Sequence, residues 1–251
     1  MPASALLLAA SAGVRAASLN LCSDEYLLLL AKPSEVASVS YLSQDRLETP
    51  LWRLGRFHHA NRGSIEQVLS ERPTLLLNMG GGGRATALLA RRIGVKVVEL
   101  PPPLSIADVE ANLNRVAAAL GQPGRAAPWV QRLRLLRQSS PATARDTIWL
   151  GSGGDSLASG SVGAEWLRLA GLRQRPLRGG RAGLETLLVR PPQMLVESRY
   201  RRQQISSGTR WLDHPVVRNL PSRRLTTDGR SWTCMGPLLI GEVERLRMAA
   251  Q

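Results

Sequence analysis

Two segments of this chain, one in each half, carry the same pattern. Residues 62–80 read RGSIEQVLSERPTLLLNMG, and residues 181–199 read RAGLETLLVRPPQMLVESR. Aligned without a gap, they are identical at Arg62/Arg181, Glu66/Glu185, Leu69/Leu188, Pro73/Pro192 and Leu76/Leu195. Each segment has the periodicity of an amphipathic helix, followed by an Arg-Pro or Pro-Pro pair, a short apolar strand and a polar or Gly-rich loop. A supersecondary unit that occurs twice predicts two similar lobes.

A long amphipathic helix is predicted between the two repeats, over residues 104–121. Its apolar residues recur in steps of three and four, which places them on one helical face: Ile106, Val109, Leu113, Val116 and Leu120. Ser105 and Asp108 have the spacing of a capping box, and Gly121 supplies a C-terminal stop. We name residues 104–121 the linking helix and expect it to join the two lobes rigidly.

Strand and helix patterns alternate through both halves of the chain. Helical patterns separate apolar, strand-like runs at residues 18–21, 36–40, 74–78, 95–100, 147–150 and 224–227. This alternation favours parallel sheets. We therefore predict an α/β fold with two Rossmann-like lobes joined by a single long backbone helix. The N-terminal lobe covers 17–103, and the C-terminal lobe covers 122–251.

Residues 1–16 resemble a signal peptide. Residues 5–14 are apolar and small, and Val14-Arg15-Ala16 fits a small-x-small processing site before Ala17. The basic segment that normally precedes the apolar run is missing, so an ordinary N-terminus and a start codon further upstream both stay open. Removal of this segment would accompany export of the protein.

The chain is strongly basic, with 33 lysines and arginines against 19 acidic residues and a net charge of +14. Nearly all of this charge is arginine, and the arginines are scattered along the chain. The densest groups, at 132–137 and 199–202, lack the interleaved aromatic residues of a base-stacking surface. We therefore predict no nucleic-acid partner. An anionic ligand, or a generally basic proteome, explains the charge instead.

The sequence lacks the motifs of nucleotide and hydrolase sites. The Gly-rich loops at 80–83 and 151–160 have neither the Lys-Ser/Thr of a P-loop nor the spacing of a dinucleotide fingerprint. No G-x-S-x-G elbow is present. Cys22 and Cys234 match no zinc motif; they could form a disulfide, contact a ligand, or act as thiols beside a histidine in an enzyme.

Residues 41–63 have little apolar periodicity, and we predict a long loop there. The loop contains Tyr41, Trp52, His58, His59 and Arg62. Long loops inside compact domains are usually functional or disordered, and the aromatic residues argue against disorder. Because His58 and His59 are adjacent, they would point to opposite sides of an extended segment and could not both face one metal.

Several segments, taken in their order and spacing, resemble one family. They are SLNLCSDEYLLLL, VASVSYLSQD, the first repeat, the linking helix with its terminal LG, and LDHPVVRNL followed by SWTCMGPLLIGEVERL. Together they resemble the periplasmic substrate-binding proteins of cobalamin and ferric-siderophore ABC importers. The resemblance implies a monomeric, non-enzymatic protein without an intrinsic cofactor. It also implies a ligand held between two lobes that move little.

The resemblance also implies roles for individual residues. The cleft would contain Tyr41 and Trp232, Met79 and Gly80 after the fourth strand, and Cys22 and Ser152 after strands in the two lobes. With Cys234 and the loop residues Trp52, His58, His59 and Arg62, these make up the expected ligand-binding set. Glu66 and Glu185 match the positions at which similar proteins dock on the transmembrane permease.

We therefore expect a protein that captures a metal chelate, either a corrinoid or a ferric siderophore, and delivers it to an ABC importer. Heme is an alternative ligand, with His58, His59 or Tyr41 as the axial ligand to iron. A metal-chelate-processing enzyme that uses Cys22 and Cys234 is the alternative from another functional class. The high arginine content and the His58-His59 pair depart from typical members of the family and leave the ligand open.

Overall fold

A computed structural model of the chain describes residues 13–81, 83–200 and 207–251, with side chains except at 207–209. Its strands form two separate parallel sheets, and helices cover them. This arrangement confirms the predicted α/β class with two lobes.

Five strands form the first sheet and four form the second. In chain order they are β1 (Ala16–Ser18), β2 (Val36–Ser40), β3 (His59–Asn61), β4 (Leu75–Met79), β5 (Lys96–Leu100), β6 (Arg145–Leu150), β7 (Leu172–Gln174), β8 (Met194–Arg199) and β9 (Arg223–Asp228).

The α-helices of the described residues range from single turns to the linking helix. In chain order they are α1 (Leu21–Leu30), α2 (Trp52–Gly55), α3 (Ile65–Ser70), α4 (Arg84–Arg92), α5 (Ile106–Ala119), α6 (Ala127–Gln138), α7 (Val162–Leu169), α8 (Leu184–Val189), α9 (Ser207–Leu212), α10 (Pro215–Arg218) and α11 (Leu238–Ala250).

The two sheets share one strand order. The first runs β3-β2-β1-β4-β5 and the second runs β7-β6-β8-β9. The second sheet therefore repeats the first without its β3 edge. β4 and β8, which end the two sequence repeats, occupy equivalent places, and α3 and α8 immediately precede them. In such sheets ligands bind outside the carboxyl ends of the strands, where the strand order changes direction.

The linking helix forms as α5, with its ends where the capping residues predict them. Ser105 Oγ accepts a hydrogen bond from the Asp108 amide (3.3 Å), and Gly121 adopts the left-handed conformation at φ 71°. Its apolar face is fully buried against α1, α6 and α7. All strands of the first sheet precede α5 and all strands of the second follow it. The lobe boundaries at 103 and 121 stay predictions.

One cluster of buried apolar side chains extends through both lobes. It includes Val39 and Leu77 from the first sheet, Leu113 from α5, and Val196 and Leu225 from the second sheet. A continuous core resists hinge motion, because separating the lobes would expose apolar surface to water.

The first strand and helix differ from the prediction of a strand at 18–21. β1 ends at Ser18, and α1 begins at Leu21 with Asn20 as its N-cap residue. Asn20 Oδ1 accepts from the Ser23 amide (3.1 Å), and Ser23 Oγ accepts from the Asn20 amide (3.3 Å). This capping box starts the helix inside the apolar run.

The predicted loop at 41–63 contains regular structure. A 3₁₀ turn at Tyr41–Gln44 and the short helix α2 precede β3, which pairs in parallel with β2 at the edge of the first sheet. Asn61 Nδ2 donates to the carbonyls of Ser18 (2.9 Å) and Val39 (3.0 Å). Long-range hydrogen bonds thus stabilise a polar strand. Its sequence has no alternation of apolar and polar residues from which a strand could be predicted. β7 is equally short and was also not predicted.

Residues 1–12 of the predicted signal-peptide-like segment lie outside the described residues. Ala16 pairs with both Val36 and Leu75, so processing before Ala17 would remove one residue of β1. That processing site stays a prediction. Among the described residues, no helix combines the length and apolar content that crossing a bilayer requires.

The fold predicts a large cost for truncating the linking helix. Leu113 is fully buried, so Leu113→Ala should lower the free energy of unfolding by about 2–5 kcal/mol through lost burial and a cavity. Leu104→Ala is the matched control, because Leu104 is exposed and its loss should cost less than about 0.5 kcal/mol. Urea unfolding measures both. Equal costs would contradict burial of α5 between the lobes.

Candidate functional site

The carboxyl edges of the two sheets approach each other and define a cleft. Hydrogen bonds between described residues cross it. Tyr200 Oη, beyond the end of β8, donates to Glu48 Oε2 of the first lobe (2.7 Å). The Arg230 guanidinium, beyond the end of β9, donates to the Arg46 carbonyl. The cleft therefore lies where parallel α/β sheets bind ligands.

Cys22 and Cys234 form a disulfide between the two lobes, with their Cα atoms 5.2 Å apart. Cys22 is in the first turn of α1, and Cys234 lies between the 3₁₀ turn at Gly229–Trp232 and α11. The bond joins the two lobes covalently. Because a disulfide contains no thiolate, neither cysteine is available as a nucleophile in this state.

Tyr41 and Arg62 lie side by side at the first-lobe edge of the cleft. β2 and β3 are parallel and pair Ser40 with Asn61, so the next residue of each strand leaves the sheet at the same place. The Arg62 guanidinium lies 4.8 Å from the centre of the Tyr41 ring. The Tyr41 side chain is 46% exposed. A phenol that is exposed and next to a cation can bind a metal or an anionic ligand.

A buried carboxylate, Asp24, supports the segment that contains Tyr41. Its oxygens accept hydrogen bonds from the Ser40 amide (3.0 Å) and the Ser43 hydroxyl (2.6 Å), and from the hydroxyls of Ser18 and Ser40. Burial raises the pKa of Asp24 to about 6, although these hydrogen bonds lower it. Asp24 therefore connects α1 to the ends of β1 and β2. The sequence signal for it is an acidic pair in an otherwise apolar helix.

The second lobe contributes a cavity of about 250 Å³. Two predicted residues, Ser152 and Trp232, line it together with Trp149, Tyr200 and Met235. The Trp149 and Trp232 ring centres are 5.7 Å apart, and Trp232 Nε1 donates to Thr227 Oγ1 (2.7 Å). The cavity thus has an aromatic wall held in place by packing and a hydrogen bond. Trp149 was not singled out from the sequence, because it lies within a strand.

Met79 and Gly80 end β4 at the carboxyl edge of the first sheet. The Met79 side chain is buried in the core, and its carbonyl accepts from Asn20 Nδ2 (2.9 Å). Gly80 is partly exposed and has φ 71°, a conformation that favours glycine. At this point Gly80 presents backbone to the cleft edge, while the Met79 side chain packs inside the lobe.

The other loop residues have different side-chain contacts. His59 Nε2 lies 2.9 Å from Glu71 Oε1, and Arg15 Nη2 lies 3.9 Å from the same carboxylate, where the strands begin. Burial lowers the pKa of His58. Trp52 lies in α2 with the guanidinium of Arg53 4.9 Å from its ring. Among the predicted aromatic and histidine residues in 41–63, Tyr41 contacts the Arg62 guanidinium.

Glu66 and Glu185 occupy equivalent places in the first turns of α3 and α8, and both are exposed. His214, in contrast, has a local role: its Nδ1 accepts from the Val216 amide (3.2 Å) and caps α10. Within the described ranges, no group of three or more His, Cys, Asp or Glu residues is arranged to hold a metal ion.

Glu25 is a buried acid at the junction of the lobes, which the sequence analysis did not single out. Its Oε1 accepts from the Leu238 amide at the start of α11 (2.7 Å). Burial raises the pKa of Glu25 from its ordinary value of 4.5 to about 8, and the hydrogen bond opposes this rise. The ionised form is therefore destabilised in the folded protein.

The raised pKa predicts how stability depends on pH. An acid with a higher pKa in the folded than in the unfolded state binds protons more tightly when folded. The free energy of unfolding should therefore fall as pH rises from about 4.5 to about 8 and then level off. Glu25→Gln should reduce this slope and raise stability near pH 8 by a few kcal/mol, since each pKa unit is worth about 1.4 kcal/mol.

Urea unfolding of both proteins across this pH range is the measurement. Glu66→Gln is the control, because an exposed glutamate should leave the slope unchanged. If the Glu25 variant has the wild-type dependence of unfolding free energy on pH, Glu25 is not the source of that dependence.

Neither a protein-family model nor a curated protein matches this chain. Several solved structures do match it in fold. A periplasmic heme-binding protein from Pseudomonas aeruginosa aligns with TM-score 0.66 and 22% identity, covering 94% of this chain and 91% of that chain. HutB, a periplasmic heme-binding protein of Vibrio cholerae, aligns with TM-score 0.70 and 17% identity over 94% of this chain and 98% of its own.

A third solved structure is RhuT, a periplasmic heme-binding protein from Roseiflexus sp. RS-1 in its apo form. It aligns with TM-score 0.65 and 19% identity, covering 95% of this chain and all of its own. The shared feature is the fold, two parallel-sheet lobes along nearly the whole chain.

Proposed function

We propose that this chain, which has the two-lobed fold seen in periplasmic heme-binding proteins, is a periplasmic substrate-binding protein that captures a metal chelate for an ABC importer. The observation that carries the proposal is the exposed Tyr41 phenol beside the Arg62 guanidinium at the edge of the cleft. The aromatic cavity of the opposite lobe faces the same cleft and supplies an apolar wall.

Heme is the ligand that this pair of residues fits best. A tyrosine phenolate is one of the axial ligands that proteins offer to heme iron. Arg62 supplies a cation beside the phenol, and the net charge of +14 attracts the anionic propionates of heme. The structural neighbours described as heme-binding proteins support this choice over a corrinoid. A ferric siderophore, which is also an anionic iron chelate, stays the second candidate.

Capture would need no large movement of the lobes. The common core, α5 and the disulfide between Cys22 and Cys234 hold the lobes together. A preformed cleft avoids the cost of ordering loops and domains on binding. The ligand would therefore exchange its hydration for Tyr41, Arg62 and the Trp149–Trp232 wall.

Binding without turnover is the activity we propose. With both cysteines in the disulfide, the thiol chemistry of the enzyme alternative lacks its nucleophile. A binding protein should take up one ligand and return it chemically unchanged.

Replacing Tyr41 tests the heme assignment. Tyr41→Phe removes the phenol oxygen and should weaken heme binding by about tenfold or more, which corresponds to at least about 1.4 kcal/mol. It should also abolish the phenolate-to-iron absorption in the visible spectrum. Spectroscopic titration with heme measures both effects.

Tyr26→Phe is the matched control for this titration. Tyr26 is fully buried in the common core, so removal of its hydroxyl should leave the iron spectrum unchanged. A Tyr41 variant with wild-type spectrum and affinity would rule out the axial role. If the wild-type protein takes up ferric siderophores and no heme, the second candidate replaces the first.

We further propose that Glu66 and Glu185 dock the loaded protein on the permease. This proposal is supported by the equivalent, exposed positions of the two glutamates in the two lobes. They present two acidic groups to a partner with related basic sites. Exposed ion pairs are worth only about 0–1 kcal/mol each, so the pair would orient the complex more than stabilise it.

Charge reversal of both glutamates tests the docking surface. Glu66→Arg with Glu185→Arg should abolish ligand uptake through the cognate permease in proteoliposomes, because like charges would then meet. Ligand affinity in solution should be unchanged. Glu99→Arg with Glu244→Arg adds the same charge to other sites on the two lobes and should retain uptake. Equal loss in both double variants would show a general charge effect and contradict specific docking.

A further inference from the structure

The segment 232–238 connects the cavity to the disulfide. Trp232, Thr233 and Met235 line the cavity, and Cys234 lies among them. We name residues 232–238 the cavity-wall segment. Any displacement of Cys234 would move the side chains on either side of it.

Two of the contacts that hold the cavity-wall segment stay within the second lobe. Trp232 Nε1 donates to Thr227 Oγ1 (2.7 Å), and Trp166 Nε1 donates to the Met235 carbonyl (3.1 Å). These contacts orient the two ends of the wall relative to β9 and α7.

Two further contacts attach the segment to α1 of the first lobe. Cys234 is bonded to Cys22, and the Leu238 amide donates to Glu25 Oε1 (2.7 Å). Cys22 and Glu25 are one helical turn apart, so they form one attachment site on one helix. The wall of the cavity in one lobe is thus positioned by the other lobe.

The backbone of the segment is strained where these contacts converge. Met235 has φ 50°, a left-handed conformation that is unfavourable for a residue with a side chain. Gly236 approaches Glu25 so closely that an added Cβ atom would lie 2.7 Å from Oε1. Such a conformation persists only where surrounding contacts over-determine it.

We propose that the Cys22–Cys234 disulfide is a positioning element of the ligand site: it holds the cavity-wall segment against α1 so that the cavity has its binding shape. This inference rests on the proposed function for its ligand, but its structural part stands on the contacts alone. It assigns the disulfide a role in affinity in addition to its role in stability.

The role in affinity predicts that removing the disulfide weakens binding in the folded protein. If the released segment adopts the binding shape about a tenth of the time, the apparent Kd rises about tenfold. A purely stabilising disulfide would leave the Kd of the folded fraction unchanged.

The experiment compares three variants with the wild type. Cys22→Ser with Cys234→Ser removes the bond. Gly236→Ala keeps the bond but displaces the segment from Glu25. Leu187→Ala removes buried apolar volume from the second lobe's separate core cluster and matches the loss of stability without touching the segment.

Heme titration and hydrogen exchange of the ligand-free proteins are the two readouts. The double serine variant and Gly236→Ala should each raise the Kd about tenfold or more. Both should also lose amide protection within 232–238. Leu187→Ala should keep its Kd within about twofold of wild type. Equal weakening in Leu187→Ala, or unchanged Kd in the double serine variant, would overturn the proposal.

Hydrogen exchange separates failure of this inference from failure of the proposed function. If the wild type takes up neither heme nor ferric siderophores, the proposed function fails, and the exchange pattern alone decides the inference. Loss of protection confined to the cavity-wall segment would support the positioning role. Uniform loss, or none, would overturn it. If the double serine variant does not fold, titration of the wild type after reduction of the Cys22–Cys234 bond with dithiothreitol replaces it, with Leu187→Ala under the same conditions as the control.

Discussion

The junction between the lobes is the constraint on which the rest of the structure depends. A single apolar core passes from the first sheet through α1, α5 and α7 to the second sheet. Its cohesion fixes how the carboxyl edges of the two sheets face each other, and those edges form the cleft. Because opening the cleft would expose that core to water, the site is held in shape before any ligand arrives.

Helix α1 concentrates the polar contacts of this junction. Within four consecutive residues it provides Cys22, which is bonded to the second lobe, Asp24, which supports the Tyr41 segment, and Glu25, which caps α11. Burial raises the pKa of both acids, so both weaken the folded state when ionised. These destabilising acids occur where one helix, α1, is attached to both walls of the cleft.

Local patterns in the sequence predicted the two-lobed α/β architecture. Apolar spacing and capping residues predicted α5, and the repeat predicted β4 and β8 as equivalent strands after equivalent helices. They failed at β3 and β7, because a three-residue polar strand has no periodicity of its own and forms only through pairing with a neighbour. The prediction of a strand at 18–21 also failed, because the capping box at Asn20 starts a helix within that apolar run.

For the site, the sequence by itself determined that Tyr41, Gly80, Ser152 and Trp232 come after predicted strands, and it placed Arg62 in a loop. It could not determine which of them meet. Tyr41 and Arg62 became neighbours through the register of β2 with β3, and His59 was directed to Glu71 near the beginning of the strands. The pairing of Cys22 with Cys234, and the burial of Asp24 and Glu25, were likewise decided only by the tertiary structure. Such contacts join residues far apart in the chain, and no local pattern encodes a distance between them.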